Sequence, residues 1–175
     1  MNRAAKGIII LGSARNDGNA ARLAADLAAL SACPVVDLSN YHIGFYDYAH
    51  SYSANDDFRP LMEMLIGGYE HWLMATPVYW YAMSAPMKVF FDRLTDLLTI
   101  EKGLGRQLRG KALSVATVSN GDHLGDAFWL PFSSTAQYLG MSFKGGLHTE
   151  PGATSSITLS RFLQQTGFPL QLGRR

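Results

Sequence analysis

The sequence predicts an α/β protein: a doubly wound, five-stranded parallel sheet in the order 2-1-3-4-5, with helices on both faces. Three observations carry that expectation. Short apolar runs of strand length alternate with longer segments of helical period. The first run, Ile8-Ile9-Ile10-Leu11, is apolar at every position, as a strand covered on both faces requires. Polar or aromatic loops follow strands one, three and four, and ligands of doubly wound sheets sit outside the carboxyl ends of the strands.

The elements follow in order. After the first strand, Gly12 to Gly18 leads into a helix with Leu23, Leu27 and Leu30 at spacings of four and three. Pro34 to Leu38 is the second strand. Tyr41 to Tyr52 carries Phe45, Tyr46, Tyr48 and His50 with neither period, so it is an ordered surface loop, or else it lines a pocket or a subunit contact. Asp56-Asp57 opens a helix, where carboxylates suit the N-terminus. Leu61, Met62, Leu65 and Ile66 form its buried face, Met64 reads with Met62 as core filler, and Gly67-Gly68 ends it. Trp72 to Thr76 is the third strand, expected to stop at Pro77, which cannot continue a central ladder. Ser84 is placed to cap the next helix, with Pro86 in its first turn. Its stripe of Met83, Met87, Phe90, Phe91, Leu94, Leu97 and Leu98 is broader than one core face needs, so part of it is expected to meet another subunit. Lys111 to Val118 is the fourth strand, Gly125 to Tyr138 a helix interrupted in pattern by Pro131, and Met141 to Leu147 the fifth strand. A last helix over Thr154 to Gln165 turns Ile157, Phe162 and Leu163 inward.

Composition bounds the function. With 175 residues, 47% of them apolar, the chain is expected to be one domain, residues 1–175, with a full core. No run reaches the roughly 20 apolar residues of a spanning helix, so no membrane role is expected. Met-Asn-Arg-Ala-Ala-Lys runs straight into a strand without an apolar leader, which predicts a cytoplasmic protein. The single Cys33 excludes an internal disulfide and a cysteine-only metal site, and reads as a small buried residue. A net charge of +1, with Arg106, Arg109 and Lys111 as a solvated loop face, argues against a nucleic-acid partner.

The loops carry the chemistry. Gly12 to Asn19 lies at a helix N-terminus, where about four N–H groups lack intrahelical partners and an anion is favoured. Ser13 offers a hydroxyl, Arg15 a charged fork, and Asn19 a cap or an amide, while Gly12 and Gly18 let backbone approach a ligand. The spacing is neither a dinucleotide fingerprint nor a nucleoside-triphosphate loop. After strand three, Tyr79, Trp80 and Tyr81 offer flat apolar side chains. After strand four, Ser119, Asn120 and Gly121 offer amide and hydroxyl donors. In the order 2-1-3-4-5 these three loops converge, which describes a ligand with a phosphate at one end and a flat ring at the other.

On these residues the chain resembles the flavodoxin-like NAD(P)H-dependent FMN reductases and their quinone-reductase and iron–sulfur-flavoprotein relatives. Gly12 to Asn19 is similar to the G-S-x-R-x-x-G-N phosphate loop. Thr76 to Arg93 is similar to the signature T-P-x-Y-x-x-x-M-S-A-x-M-K-x-F-x-D-R, and the likeness extends roughly from residue 7 to residue 150. The resemblance implies that Ser13, Arg15 and Asn19 bind the FMN phosphate, with Ala20 where the family often has a hydroxyl. It implies that Pro77, Val78, Tyr79 and Trp80 pack on the isoalloxazine or offer backbone groups to it, and that Ser119, Asn120 and Gly121 edge the ring. No cysteines cluster in Tyr41–Tyr52, so no iron–sulfur centre is expected. Lys88 and Asp92 can pair four apart on their helix, and Arg93 reads as structural.

The implied activity is a ping-pong relay. A reduced nicotinamide, NADPH or NADH, gives hydride at the flavin N5, and a small acceptor such as a quinone or free flavin collects the electrons. No catalytic side chain is required, although His50 or His123 could protonate a reduced quinone. The implied assembly is a homodimer or homotetramer. A flavodoxin-type electron carrier is the alternative, but such carriers are strongly acidic and this chain is not. A flavin-free anion-binding domain is a third reading.

Overall fold

The computed structural model describes residues 6–121 and 124–171. Its elements are β1 (Gly7–Leu11), α1 (Asn19–Ser31), β2 (Val35–Asp37), α2 (Phe58–Gly68), β3 (His71–Tyr79), β4 (Ala82–Met83), α3 (Ala85–Arg93), α4 (Lys102–Gly105), β5 (Ala112–Val118), α5 (Asp126–Tyr138), β6 (Ser142–Thr149) and α6 (Ser156–Thr166), with short 3-10 turns between some of them. The main sheet runs β2-β1-β3-β5-β6, all parallel, and β4 adds an antiparallel flap to β3. This is the flavodoxin-like order read from the sequence, renumbered by the extra two-residue strand.

Strand alternation builds two cores. Ile8 and Ile10 join Trp72, Met74, Leu113 and Val115 on the face covered by α2, α3 and α5. Ile9 and Leu11 join Leu73, Ala75, Ala116 and Val118 on the face covered by α1 and α6. Every residue of β1 is buried, and each large side chain contributes about 1.5–3 kcal/mol by leaving water.

Several expectations are corrected. β3 does not stop at Pro77 but runs to Tyr79, with Pro77 in register with Val118. β1 ends level with Ala75, so beyond that point β3 is an edge on that side, where proline is tolerated. Met83, Met87, Phe90, Phe91, Leu94 and Leu97 are all buried within the chain, and only Leu98 of that stripe is exposed. The stripe is broad because α3 and the following 3-10 turn (Leu94–Leu98) pack against the sheet, α2 and α5 together, so it supplies no argument for a subunit contact. Ile157 and Met64 lie on the solvent side of their helices. Lys111 is buried, its ammonium donating to the Tyr69 carbonyl at 2.9 Å and to Glu70 at 3.0 Å, so it is no part of a solvated face.

The aromatic loop is an ordered surface segment held by a buried ion cluster. Arg93 donates to both carboxylate oxygens of Asp56, at 2.7 and 3.1 Å, and through Nε to Asp96 at 2.9 Å. Asp96 also accepts from the Tyr52 hydroxyl at 2.8 Å and lies 3.3 Å from His50 Nδ1. Burial pushes the Asp56 carboxyl up, but the Arg93 guanidinium and the Gly44 and Phe58 amides outweigh it and hold the group below its usual range. Asp56 is therefore chiefly a partner of Arg93. Arg93 is structural, as expected, and Lys88 pairs with Asp92 at 2.6 Å.

Candidate functional site

Three strand ends build the site, and one buried serine ties two of them together. Ser84 caps α3, accepting from Met87 N–H at 3.3 Å, and its hydroxyl donates to the Gly12 carbonyl at 2.7 Å. Its own N–H donates to the Thr76 hydroxyl at 3.1 Å. Gly12 is required by packing: a Cβ there would lie 2.7 Å from the Met87 Cβ and 3.0 Å from its Cα. The glycine thus lets β1 approach α3, whereas the sequence suggested that it let backbone approach a ligand.

Beyond Gly12 the chain turns sharply. Buried Ser13 accepts from Arg15 N–H at 3.2 Å, which leaves its hydroxyl proton free to donate outward. The Arg15 guanidinium stands 4.0 Å from Asp17, and both side chains are exposed. Such a pair is worth about 0–1 kcal/mol, so it barely resists exchange for a stronger anion. The N-cap of α1 is Gly18, not Asn19, and no side chain caps the helix. As at the glycine N-cap of α5, the first N–H groups of 13-residue α1 lack a side-chain acceptor.

These groups meet in one open cleft. Ser13, Arg15, Gly18, Asn19 and Ala20 form one end, Pro77, Val78 and Tyr79 form an apolar wall, and Val118, Ser119, Asn120 and Pro151 complete it. Arg15's turn and Tyr79's turn therefore share a rim. The Ser119 hydroxyl is held by His148 Nε2 at 2.8 Å, and its N–H donates to the Thr149 carbonyl at 3.1 Å.

Two predicted residues stand outside the lining. Trp80 is 94% exposed, because the two-residue connection from β3 to β4 places Trp80 and Tyr81 at φ +51° and +62° and turns the indole to solvent. Gly121, at φ +78°, is not among the residues that line the cleft. His50 is bound to Asp96 and does not line the cleft either. His123 and Asp122 lie outside the described residues. Sequence reasoning missed Val118 and Pro151. β6 runs to Thr149, two residues past the expected strand end, because polar His148 and Thr149 disguise it. With the end placed correctly, the loop after the fifth main strand becomes a fourth wall.

The donor set fits a flavin mononucleotide. An uncapped helix N-terminus, a free hydroxyl proton and a loosely held guanidinium suit a phosphate, and an apolar strand end faced by Ser119 and Asn120 suits a ring with polar edges.

Comparison with known proteins finds the same fold. The Trp repressor binding protein from Bacillus subtilis superposes with a TM-score of 0.68 at 23% identity, covering 97% of this chain and 100% of that one. An NADPH-quinone reductase from P. pentosaceus superposes with a TM-score of 0.64 at 15% identity, covering 96% and 99%. The protein RosB, with an 8-demethyl-8-formylriboflavin-5'-phosphate intermediate bound, superposes with a TM-score of 0.68 at 16% identity, covering 94% and 82%. No curated protein sequence matches the chain. Among the described residues no helix is long and apolar enough to cross a membrane. Residues 5–145 match the family described as NADPH-dependent FMN reductase, well over half of the chain, and the protein belongs to that family of flavin oxidoreductases.

Proposed function

We propose that the protein is an FMN-dependent reductase that takes hydride from NADPH or NADH and passes the electrons to a small acceptor, a quinone or a free flavin. One observation carries this reading: the loops after β1, β3 and β5 bound a single cleft with an uncapped helix N-terminus at one end and an apolar strand end beside it. Bound FMN supplies reversible hydride acceptance at its ring.

The chain's part is to bind and orient. The N–H groups of Asn19 and Ala20 and the Ser13 hydroxyl donate to the phosphate, and Arg15 exchanges Asp17 for it. Ala20 contributes its backbone alone. Pro77, Val78 and Tyr79 back the ring, and Ser119 and Asn120 offer polar groups at its edge. Trp80, solvent-facing at the rim, stands where an arriving aromatic acceptor would pass. No side-chain acid or base is needed for hydride transfer itself. The reading treats residues 1–175 as one FMN-binding domain and places the protein in the cytoplasm.

A flavodoxin-type carrier would use the same cleft without turnover, but a net charge of +1 lacks the acidic field that such carriers use in docking. The test is to titrate flavin-free protein with FMN, then mix the complex anaerobically with NADPH or NADH and follow flavin absorbance. Rapid bleaching, reversed by a quinone, is the expected result. Bound flavin that neither nucleotide bleaches points to the carrier, and failure to bind FMN overturns both.

A further inference from the structure

The phosphate end of the cleft opens onto a second cavity. It is a shallow, open cavity that shares Asn19, Val118 and Pro151 with the first. Arg22 and Asp26 line it from α1, and Glu150 and Thr154 line it from the connection between β6 and α6. Among the described residues, Arg22, Asp26 and Glu150 have no ion-pair partner, though Arg22 and Asp26 stand four apart on one helix. The same spacing pairs elsewhere in the chain, at 3.1 Å for Arg59 with Glu63 and 2.6 Å for Lys88 with Asp92. Here a cation and two carboxylates line a cavity of mixed polar and apolar character without pairing with one another.

We infer that this cavity is a subsite for the AMP half of a dinucleotide, with a ribose that carries no extra phosphate. The inference rests on the cleft being the flavin site. Arg22 lies three residues beyond Asn19, about one turn further along α1. A second phosphate leaving the first at the helix N-terminus meets that guanidinium next. Asp26 and Glu150 are acceptors only and suit ribose hydroxyls, as an acidic residue does in other nucleotide sites. The same two charges repel a 2′-phosphate, so the adenosine is that of FAD or NADH and not that of NADPH. A moiety joined at the flavin phosphate enters the cavity directly, which favours FAD. A free AMP half belonging to NADH fits the same chemistry.

Calorimetric titration separates the sources. Flavin-free wild-type protein is titrated with FMN and with FAD, and FMN-loaded protein with AMP; the same is done for Arg22→Gln, a variant that keeps helix propensity at an exposed site. If FAD supplies the moiety, FAD binds at least as tightly as FMN, and Arg22→Gln weakens FAD about tenfold while moving FMN less than twofold. If NADH supplies it, AMP binds the FMN-loaded protein, Arg22→Gln removes that binding, and 2′-phospho-AMP binds more weakly. FAD at least tenfold weaker than FMN together with no AMP binding overturns the subsite and leaves the flavin site standing. Equal losses of FMN and FAD in Arg22→Gln overturn it too, because Arg22 would then serve the first phosphate. Failure of both flavins to bind overturns the flavin site itself.

Discussion

Replacing Gly18 with aspartate sets helix stability against cofactor affinity. Gly18 has φ −80° and ψ 178°, the extended conformation of a capping residue, so aspartate adopts it without strain. A Cβ there meets nothing closer than the Arg15 guanidinium at 3.5 Å, an ordinary contact. The new carboxylate accepts from the N–H of Ala20 or Ala21 and faces the positive end of α1. Capping in place of glycine contributes a few tenths of a kcal/mol and the dipole about 0.3–1. In a chain of this size a gain of about 1 kcal/mol raises the unfolding temperature by roughly 2–4 °C. The phosphate competes with that carboxylate for the Ala20 N–H, a bond to a charged group being worth about 1.5–3 kcal/mol, and gains a like charge beside it. FMN should therefore bind about tenfold to a hundredfold more weakly. Circular-dichroism melting of the flavin-free variant measures the first effect and calorimetric FMN titration the second. An FMN affinity within twofold of wild type would show that the phosphate does not sit at α1, and a lowered melting temperature would show that the helix was not short of a cap.

Gly12→Ala should be destabilised by about 1–3 kcal/mol in urea, because its Cβ drives into Met87, including backbone, and pries the Ser84 bond apart; a change below 0.5 kcal/mol would mean that the β1–α3 contact yields freely. His71 is buried against Ser114, and burial chiefly lowers its pKa from 6.5 to about 4. The unfolded imidazole takes a proton first as acid is added, so this contribution is whole above about pH 6.5 and fades toward pH 4, a loss of about 3 kcal/mol. Urea titrations at several pH values should show that slope in wild type and lose it in His71→Gln; an unchanged slope in the variant assigns it to other groups. Arg93→Met strands the buried Asp56 and Asp96 carboxylates, so a loss of about 3–5 kcal/mol and early proteolysis within residues 41–57 are expected; a loss under about 1 kcal/mol would show that the cluster adds little.

The strand order was legible because doubly wound sheets bury their strands on both faces, and runs such as Ile8–Leu11 have no other reading. The convergence of three loops was legible for the same topological reason, and the cleft lies where those loops meet. What escaped is set by distance in sequence or by geometry that residue type does not encode. Arg93 and Asp56 are 37 positions apart, and nothing near either names its partner. A serine three residues before a methionine suggests a cap, but not that the same hydroxyl reaches Gly12 across 72 positions. Lys111 at a strand start reads as solvent-facing until Tyr69 and Glu70 are seen around it. Pro77 reads as a stop in the sequence because the rule for proline assumes neighbours on both sides, and past Ala75 the β1 neighbour is gone.

The Trp80–Tyr81 turn had no local signal at all, and it explains why the cleft stays open. Turns with positive φ at both central positions favour Asn-Gly, and a non-glycine residue held there costs about 1–3 kcal/mol. The pairing of Val78 with Met83 and Tyr79 with Ala82, and the buried Ser84 bonds to Thr76 and Gly12, offset that cost and hold the turn. A tryptophan free to choose would gain about 1.5–3 kcal/mol by folding onto a nearby apolar surface. Pro77, Val78 and Tyr79 offer such a surface, and occupying it would plug the cleft. The left-handed turn denies the indole that option, leaving it 94% exposed at the rim. Strain at this hairpin is thus coupled to an accessible site: the indole is kept off an apolar wall whose Pro77, Val78 and Tyr79 stay at least partly exposed along the cleft.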